Sequence, residues 1–314
     1  MTVAAGGLID LTGDRRRLRR ERRVRAGFWL AGLSSLGISI AIVLSLLGNS
    51  IEFLNNTPLD KLWTLDKWAP RIGKFDIATL FVGSLLVTGV AMLIAAPLGL
   101  GAAIYLAEYA KPRVRQIAKP ILEVMAGIPS IVIGFFAVAW IGPNIVQNLF
   151  ANADAFSLAA AGIGVGLLVT PIVASVSEDA MRAVPAALRE ASYGLGARRI
   201  TTVTKIVMPA AVSGIGAAMI LAASRAIGET MIVALAGGAF GEASYTTKIT
   251  DVGLVITSAM ASLATGTDQV AGGGGSGAGQ AFNSLFFLGL LLFGITMLLN
   301  LVGDFFVRRI RERY

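Results

Sequence analysis

Two charged residues four apart, Arg225 and Glu229, sit in Ala217–Gly238, a run otherwise made almost wholly of Ala, Gly, Ile, Leu, Met and Val. A charge placed in hydrocarbon costs about 2.5–3.5 kcal/mol on insertion scales, so charges held at such a depth tend to serve a purpose. The i, i+4 spacing puts both on one helical face, where they can pair. Two readings fit. The pair either locks two helices together, or it lines the path of a charged solute. Arg suits an oxyanion, because its planar and permanently charged fork matches phosphate or carboxylate oxygens. Thr230 follows directly and is counted on the same path.

The elements that must position this pair are membrane spans. The chain has 314 residues, 55% of them hydrophobic, with a mean hydropathy of +0.74 and only 15% charged residues. Soluble domains carry roughly 25% charge. Six apolar stretches approach or exceed the ~20 residues that cross a bilayer: Ala26–Leu47, Ile77–Tyr109, Ile121–Ile141, Leu158–Val176, Ala210–Gly238 and Ala281–Phe306. The expected fold is therefore all-α and polytopic, with six transmembrane helices. Residues 1–25 read as a basic cytoplasmic tail, 26–76 as the first transmembrane helix and an outside loop, 77–306 as a five-helix core, and 307–314 as a basic cytoplasmic C-terminus. Residues 15–25 hold eight Arg and residues 308–313 four, and Lys111, Arg113, Arg115 and Lys119 share one loop. Basic residues stay on the cytoplasmic side, and six spans bring all these segments to that side. Trp63 and Trp68, in the polar stretch Gly48–Asp76, are placed like interfacial anchors. The short apolar run Leu254–Leu263 falls short of a span and reads as a re-entrant or surface helix. Gly162, Gly164 and Gly166 signal close helix packing.

The composition also excludes chemistry. There is no Cys and no His, which removes disulfides, thiolate metal sites, imidazole zinc sites and His-based triads. No acidic cluster has ligand spacing, so neither a metal nor another cofactor is expected, and no residue is assigned a catalytic role. The basic runs border membrane spans, which favours a topological role over nucleic-acid binding. Gly274–Ala281 has the glycine spacing of a P-loop, but Gln280 and Ala281 stand where Lys and Ser/Thr belong. Without that cation and hydroxyl it cannot hold a nucleotide. Glu108 and Glu123 lie at span ends beside basic residues, where snorkelling or salt bridging explains them.

Residues 178–209 are too polar to span and read as a cytoplasmic loop. Within it, Glu190-Ala191-Ser192 is followed by Gly196 and, nine residues on, by Ile206-Val207-Met208-Pro209. This resembles the EAA loop of ABC-transporter permeases, with Ser192 as the third small residue and Met208 in place of Leu. The resemblance implies that Glu190, Ala191, Ser192, Gly196, Ile206 and Pro209 couple to a separate ATP-binding subunit. The string Ser224–Met231, together with Gly83–Thr88, Pro97 and Gly127–Gly134, is similar to the PstC-type permease of the phosphate-specific ABC transporter over about residues 77–306. That resemblance implies a type I ABC importer permease fold in the cell membrane of a prokaryote, multi-pass with both termini cytoplasmic. It implies as partners a PstA-type sister permease in a heterodimer, two ATP-binding subunits and an extracytoplasmic phosphate-binding protein. Phosphate would be the substrate and ATP hydrolysis would be the partner's work. In the family, the Arg and Glu that match Arg225 and Glu229 are linked to phosphate passage. A permease for sulfate, molybdate or tungstate is the nearest alternative. A gradient-driven carrier or channel is a further one, but it leaves residues 190–209 without a use, and no clear internal repeat accompanies it.

Overall fold

The computed structural model describes residues 15–150, 152–266 and 278–311. The basic tail up to residue 14, the last three residues and the glycine tract up to residue 277 lie outside them. The chain divides into two compact units after Gly48. Helix α1 (Arg15–Asn56) contributes its first part to the first unit. There every residue from Arg20 to Ile42 is exposed, including the apolar ones. A helix apolar around its whole circumference needs an apolar solvent, and this one is long enough to meet a bilayer.

The second unit contains α2 (Ile77–Tyr109), α3 (Pro112–Ala126), α4 (Ser130–Leu149), α5 (Leu158–Arg182) and α6 (Ala186–Gly194). It continues through α7 (Arg199–Ile227), α8 (Met231–Ala236), α9 (Ile256–Thr265) and α10 (Ala278–Arg311). Among the described residues, six helices are long and apolar enough to cross a membrane: α1, α2, α4, α5, α7 and α10.

Helices α2 and α5 pack along each other to form the centre of the unit, burying Val87, Ala91, Ala95, Val165, Val169 and Val173. The glycines of α5 permit this: a β-carbon on Gly162 would meet Val90 at 2.6 Å and one on Gly166 the Ala91 carbonyl at 3.0 Å. A second apolar cluster joins Phe53, Trp68, Phe75, Leu80, Leu254, Ile256 and Leu288. A third, of Ala103, Met181, Val184, Val207 and Ala211, ties the ends of α2 and α5 to the start of α7. A small antiparallel sheet, β1 (Lys67–Ala69) between β2 (Lys74–Phe75) and β3 (Ala243–Ser244), covers the second cluster. Trp68 lies in its middle strand and is fully buried, so it is a core residue and not an interfacial anchor. Trp63 is exposed as an anchor requires.

Two spans differ from the hydropathy pattern. The third begins at Ser130 rather than Ile121, because the chain breaks at Gly127–Pro129 and Pro129 precedes the helix instead of interrupting it. Proline has no N–H to donate and disfavours helix in the residue before it. The preceding α3 is a separate helix with no buried residue, and Ile117, Ile121, Val124 and Met125 are exposed on it. The fifth span starts earlier, at Arg199, and stops at Ile227. Gly228–Thr230 separates it from α8, so Arg225 and Glu229 do not share one continuous helix.

Candidate functional site

Arg225 occupies the last turn of α7 and Glu229 the break after it. A break in a span exposes backbone polar groups that hydrocarbon cannot satisfy, so it persists only where protein or a water-lined cavity serves them. Helix α9 does this. Thr257 Oγ1 donates to the Glu229 carbonyl at 2.6 Å. The start of α9 is itself held by Ser84 of α2, whose Oγ accepts from the Ile256 N–H at 3.1 Å. Gly83 makes that approach possible, since a β-carbon there would lie 2.2 Å from the Leu254 carbonyl oxygen. The apolar run around 254–263 is therefore a short buried helix that braces the break. Its role could not be read from its own sequence, because Thr257 and Ser84 make ordinary-looking contacts to residues far along the chain.

The ion pair itself is loose. Arg225 Nη1 lies 3.4 Å from Glu229 Oε2, a single contact. The Glu side chain is 3% exposed and the Arg side chain 50%. A well-formed charged N–H···O contact is nearer 2.7–2.9 Å, often bidentate for Arg. Arg225 has no other polar partner among the described residues. The buried carboxylate therefore offsets the guanidinium charge from one side and leaves most of its donors available on the other. Thr230 is half-buried. Its Oγ1 makes only a long contact to the Gly228 carbonyl (3.4 Å), while its own carbonyl accepts from the Ala234 N–H at 2.9 Å and opens α8. Beside the break, Ser224 Oγ donates to Asn300 Oδ1 of α10 at 3.0 Å.

The second constellation is the segment 186–209. Glu190, Ala191 and Ser192 lie on α6, which ends at a turn through Gly196. Gly196 adopts φ +78, a left-handed conformation that only glycine enters without strain. Its N–H donates to the Tyr193 carbonyl at 2.9 Å, and the Ala197 N–H to that of Ser192 at 3.1 Å. Ser192 is buried against α7, where its Oγ meets Thr202 Oγ1 at 2.8 Å. Glu190 and Ala191 are exposed, and Leu195, at the tip of the turn, is 90% exposed. Ile206 and Pro209 are half-buried, at the π turn Val203–Val207 and the turn after it. The segment thus presents one free face and seats the other on the bundle.

What seats it is Arg189, a residue with no sequence motif to mark it. Beside Glu190, it makes four hydrogen bonds. Two go to Glu108 Oε1 at the end of α2 (Nε 3.0 Å, Nη2 2.8 Å), one to the Val184 carbonyl (2.7 Å) and one to that of Met181 (2.8 Å). Glu108 is buried, and salt bridging is its role. Glu123 is exposed on α3. The Arg199 guanidinium lies over the Tyr109 ring at 5.1 Å, adding a second link to the end of α2. Separately, Lys119 of α3 bridges Asp179 and the fully buried Glu178 (3.1 Å to the latter), which also faces Arg182 at 3.7 Å. The bond to Asp179 raises the Lys119 pKa, with partial burial opposing it and Glu178 adding to it. No group of three or more metal-ligating side chains occurs among the described residues.

These features have counterparts in known proteins. The model of the binding-protein-dependent transport system inner membrane component matches residues 95–314. The chain belongs to that family. It is 35% identical to the probable ABC transporter permease YqgH of Bacillus subtilis over 204 residues, which span 64% of this chain and 65% of that protein. It is 28% identical to the phosphate transport system permease PstC 1 of Mycobacterium tuberculosis over 321 aligned positions, covering 90% of this chain and 92% of that one. Among solved structures, a bacterial alginate ABC transporter bound to its periplasmic protein contains a chain that superposes with a TM-score of 0.63 at 16% identity, over 94% of this chain and 98% of that one. The fold is that of an ABC importer permease, and the chain is a multi-pass membrane protein with a transport role.

Proposed function

We propose that this chain is the membrane subunit of an ATP-driven phosphate importer and forms half of its translocation path. The observation that carries the reading is the broken fifth span. It holds a half-exposed Arg225, only partly neutralised by the buried Glu229 behind it. Similarity to a phosphate permease over nine-tenths of the chain supports phosphate as the solute.

The mechanism rests on the charges. A passing phosphate accepts hydrogen bonds from the free side of the Arg225 guanidinium. Conduction requires a site strong enough to draw the ion in and weak enough to let it go. Glu229 supplies the weakening: it retains a share of the Arg225 charge throughout and re-forms its contact as the phosphate leaves. Thr230 offers a hydroxyl one residue on. One Arg cannot strip a phosphate of its hydration alone, so a PstA-type sister permease contributes the rest of the site, and an extracytoplasmic phosphate-binding protein delivers the ion.

Energy enters through a partner. Of two ATP-binding subunits in the transporter, one docks on the free face of α6 and its turn, around Glu190, Ala191, Gly196 and the projecting Leu195. Ser192 holds α6 to Thr202 of α7, the helix that carries Ile206 and Pro209, so a displacement of α6 moves α7 and the break at its far end. Both basic ends of the chain lie on the cytoplasmic side in this arrangement.

The substrate is tested by competition. Reconstituted transporter is given labelled phosphate with an excess of sulfate, molybdate or tungstate. Inhibition by unlabelled phosphate alone supports the reading. Stronger inhibition by one of the other oxyanions transfers the assignment to that ion.

A further inference from the structure

Helix α1 opens on a basic run. Between Arg15 and Arg25 there are eight Arg and one Glu, a net charge of +7 by 8 − 1, and the run is helical and continuous with the first span. At about 100° per residue Arg20, Arg22, Arg23 and Arg25 point at about 0°, 200°, 300° and 140°, spread around the helix. A helix lying flat on a membrane would instead segregate its charges from an apolar face. This is a collar, suited to a helix that rises through the headgroup layer. The next turns of α1 fix its depth. Phe28 and Trp29 are 77% and 67% exposed, as interfacial aromatics are, and exposed Leu30, Leu33, Leu36, Ile38 and Ile40 continue the apolar surface. At about 1.5 Å per residue, Arg25 stands roughly 4.5 Å beyond Phe28, Arg22 roughly 9 Å and Arg20 roughly 12 Å. The headgroup layer is about 5–8 Å deep on each side. Arg25, Arg23 and Arg22 therefore start at or near phosphate depth, and Arg20 reaches it with its long side chain. All four are exposed. One face brings Arg20, Glu21, Val24, Arg25 and Phe28 together around a shallow, open patch. Two guanidinium groups and one carboxylate there adjoin apolar Val24 and Phe28, so a phosphodiester can meet the Arg side chains with its acyl chain along the apolar pair.

We propose that this collar is a binding surface for anionic phospholipid headgroups, with Arg20, Val24, Arg25 and Phe28 as one seat. Charge complementarity selects the occupant. A net +7 in one collar is not offset by zwitterionic lipids, whereas each basic residue near an anionic surface gains attraction from it. Arg also pairs with phosphate oxygens in two-point contacts.

The test uses the full-length chain in nanodiscs of phosphatidylcholine with one-fifth phosphatidylglycerol, which leave both faces open, so that insertion direction does not enter. Spin-labelled lipids report the relative affinity of the two headgroups for the protein surface. The wild type is expected to prefer phosphatidylglycerol at least fivefold, and less so in high salt. The variant carrying R20Q, R22Q, R23Q and R25Q should fall below twofold. The matching four-Lys variant, which keeps the charge and checks folding, should retain at least half of the preference. A wild-type preference below twofold, or one unchanged in the Gln variant, overturns the proposal. So does an unchanged lipid preference accompanied by loss of a co-purifying protein from the Gln variant, which would make the collar a protein-docking surface.

Discussion

Replacing Arg189 with Met tests whether segment 186–209 is rigidly joined to the spans. The substitution keeps much of the stem and removes all four hydrogen bonds. It leaves the Glu108 carboxylate, whose side chain is 4% exposed, without its partner. Breaking a buried ion pair from one side costs about 3–5 kcal/mol. The abandoned carbonyls of Met181 and Val184 each add up to ~1–3 kcal/mol where water does not replace the bond. Arg189 itself is 18% exposed, so some water enters and the lower end, about 3 kcal/mol, is the expected loss. The readout is the thermal stability of the solubilised protein, together with the ratio of phosphate moved to ATP hydrolysed by the assembled transporter. Stability should fall clearly. Where the complex still forms, the ratio should fall too, because α6 can then move without α2. Adding Glu108→Gln removes the stranded charge and should return a substantial part of the stability, since neighbours that share a bond are not additive. A single variant within about 0.5 kcal/mol of wild type, or a double variant no better than the single, would refute the clamp.

Other sites carry their own consequences. Gly196→Ala meets no atom within 4 Å, so its cost is the left-handed backbone alone, about 1–2 kcal/mol; co-purification of an ATP-binding subunit should weaken, and Gly196→Asn should weaken it less. Gly83→Ala places a β-carbon 2.2 Å from the Leu254 carbonyl; α9 must shift, and hydrogen exchange at Ile256 and Thr257 should rise as the break at Glu229 loses its brace. Glu229→Gln removes the counter-charge behind Arg225, so phosphate should be held more tightly and released more slowly; KM and kcat for uptake should both fall. The Lys119 pKa is raised by its bond to Asp179. Its stabilisation is therefore fully present below the ordinary value of 10.5 and is lost only as pH rises through the higher folded value. Lys119→Met should lower stability equally at about pH 6 and pH 9 and lose the difference from wild type only in strong alkali, as thermal melts across that range would show.

Much of this architecture is legible in the residues, and what is not has a physical reason. Hydropathy counts six spans and the described residues hold six, because burying backbone in lipid demands long apolar helices whatever they pack against. Boundaries are less visible. Ile121, Val124 and Met125 raise the local hydropathy, yet they sit on a separate exposed helix, and only Gly127 and Pro129 mark the break before the span. The stop after Ile227 leaves the apolar composition unchanged on both sides, and Gly228 is its only local sign. Arg225 and Glu229 announce themselves by their cost in an apolar run. Their unequal exposure goes with that break, whose Glu229 carbonyl is held by Thr257, 28 residues further on. Arg189 and Glu108 are invisible as a pair, since 81 residues separate them and each alone resembles an ordinary charge at a helix end. Trp68 does not declare its place, because an interfacial and a core tryptophan look alike until the sheet around Trp68 is seen.

The most direct test of the central claim is ATP-driven uptake of labelled phosphate into proteoliposomes carrying the assembled transporter, with Arg225→Gln set against wild type. Equal amounts of intact complex are confirmed by size-exclusion chromatography. An assembled variant whose ATP-dependent phosphate uptake falls to background is the predicted result. Wild-type uptake by that variant would contradict the account, and loss of the complex itself would reduce the Arg225–Glu229 pair to a structural lock.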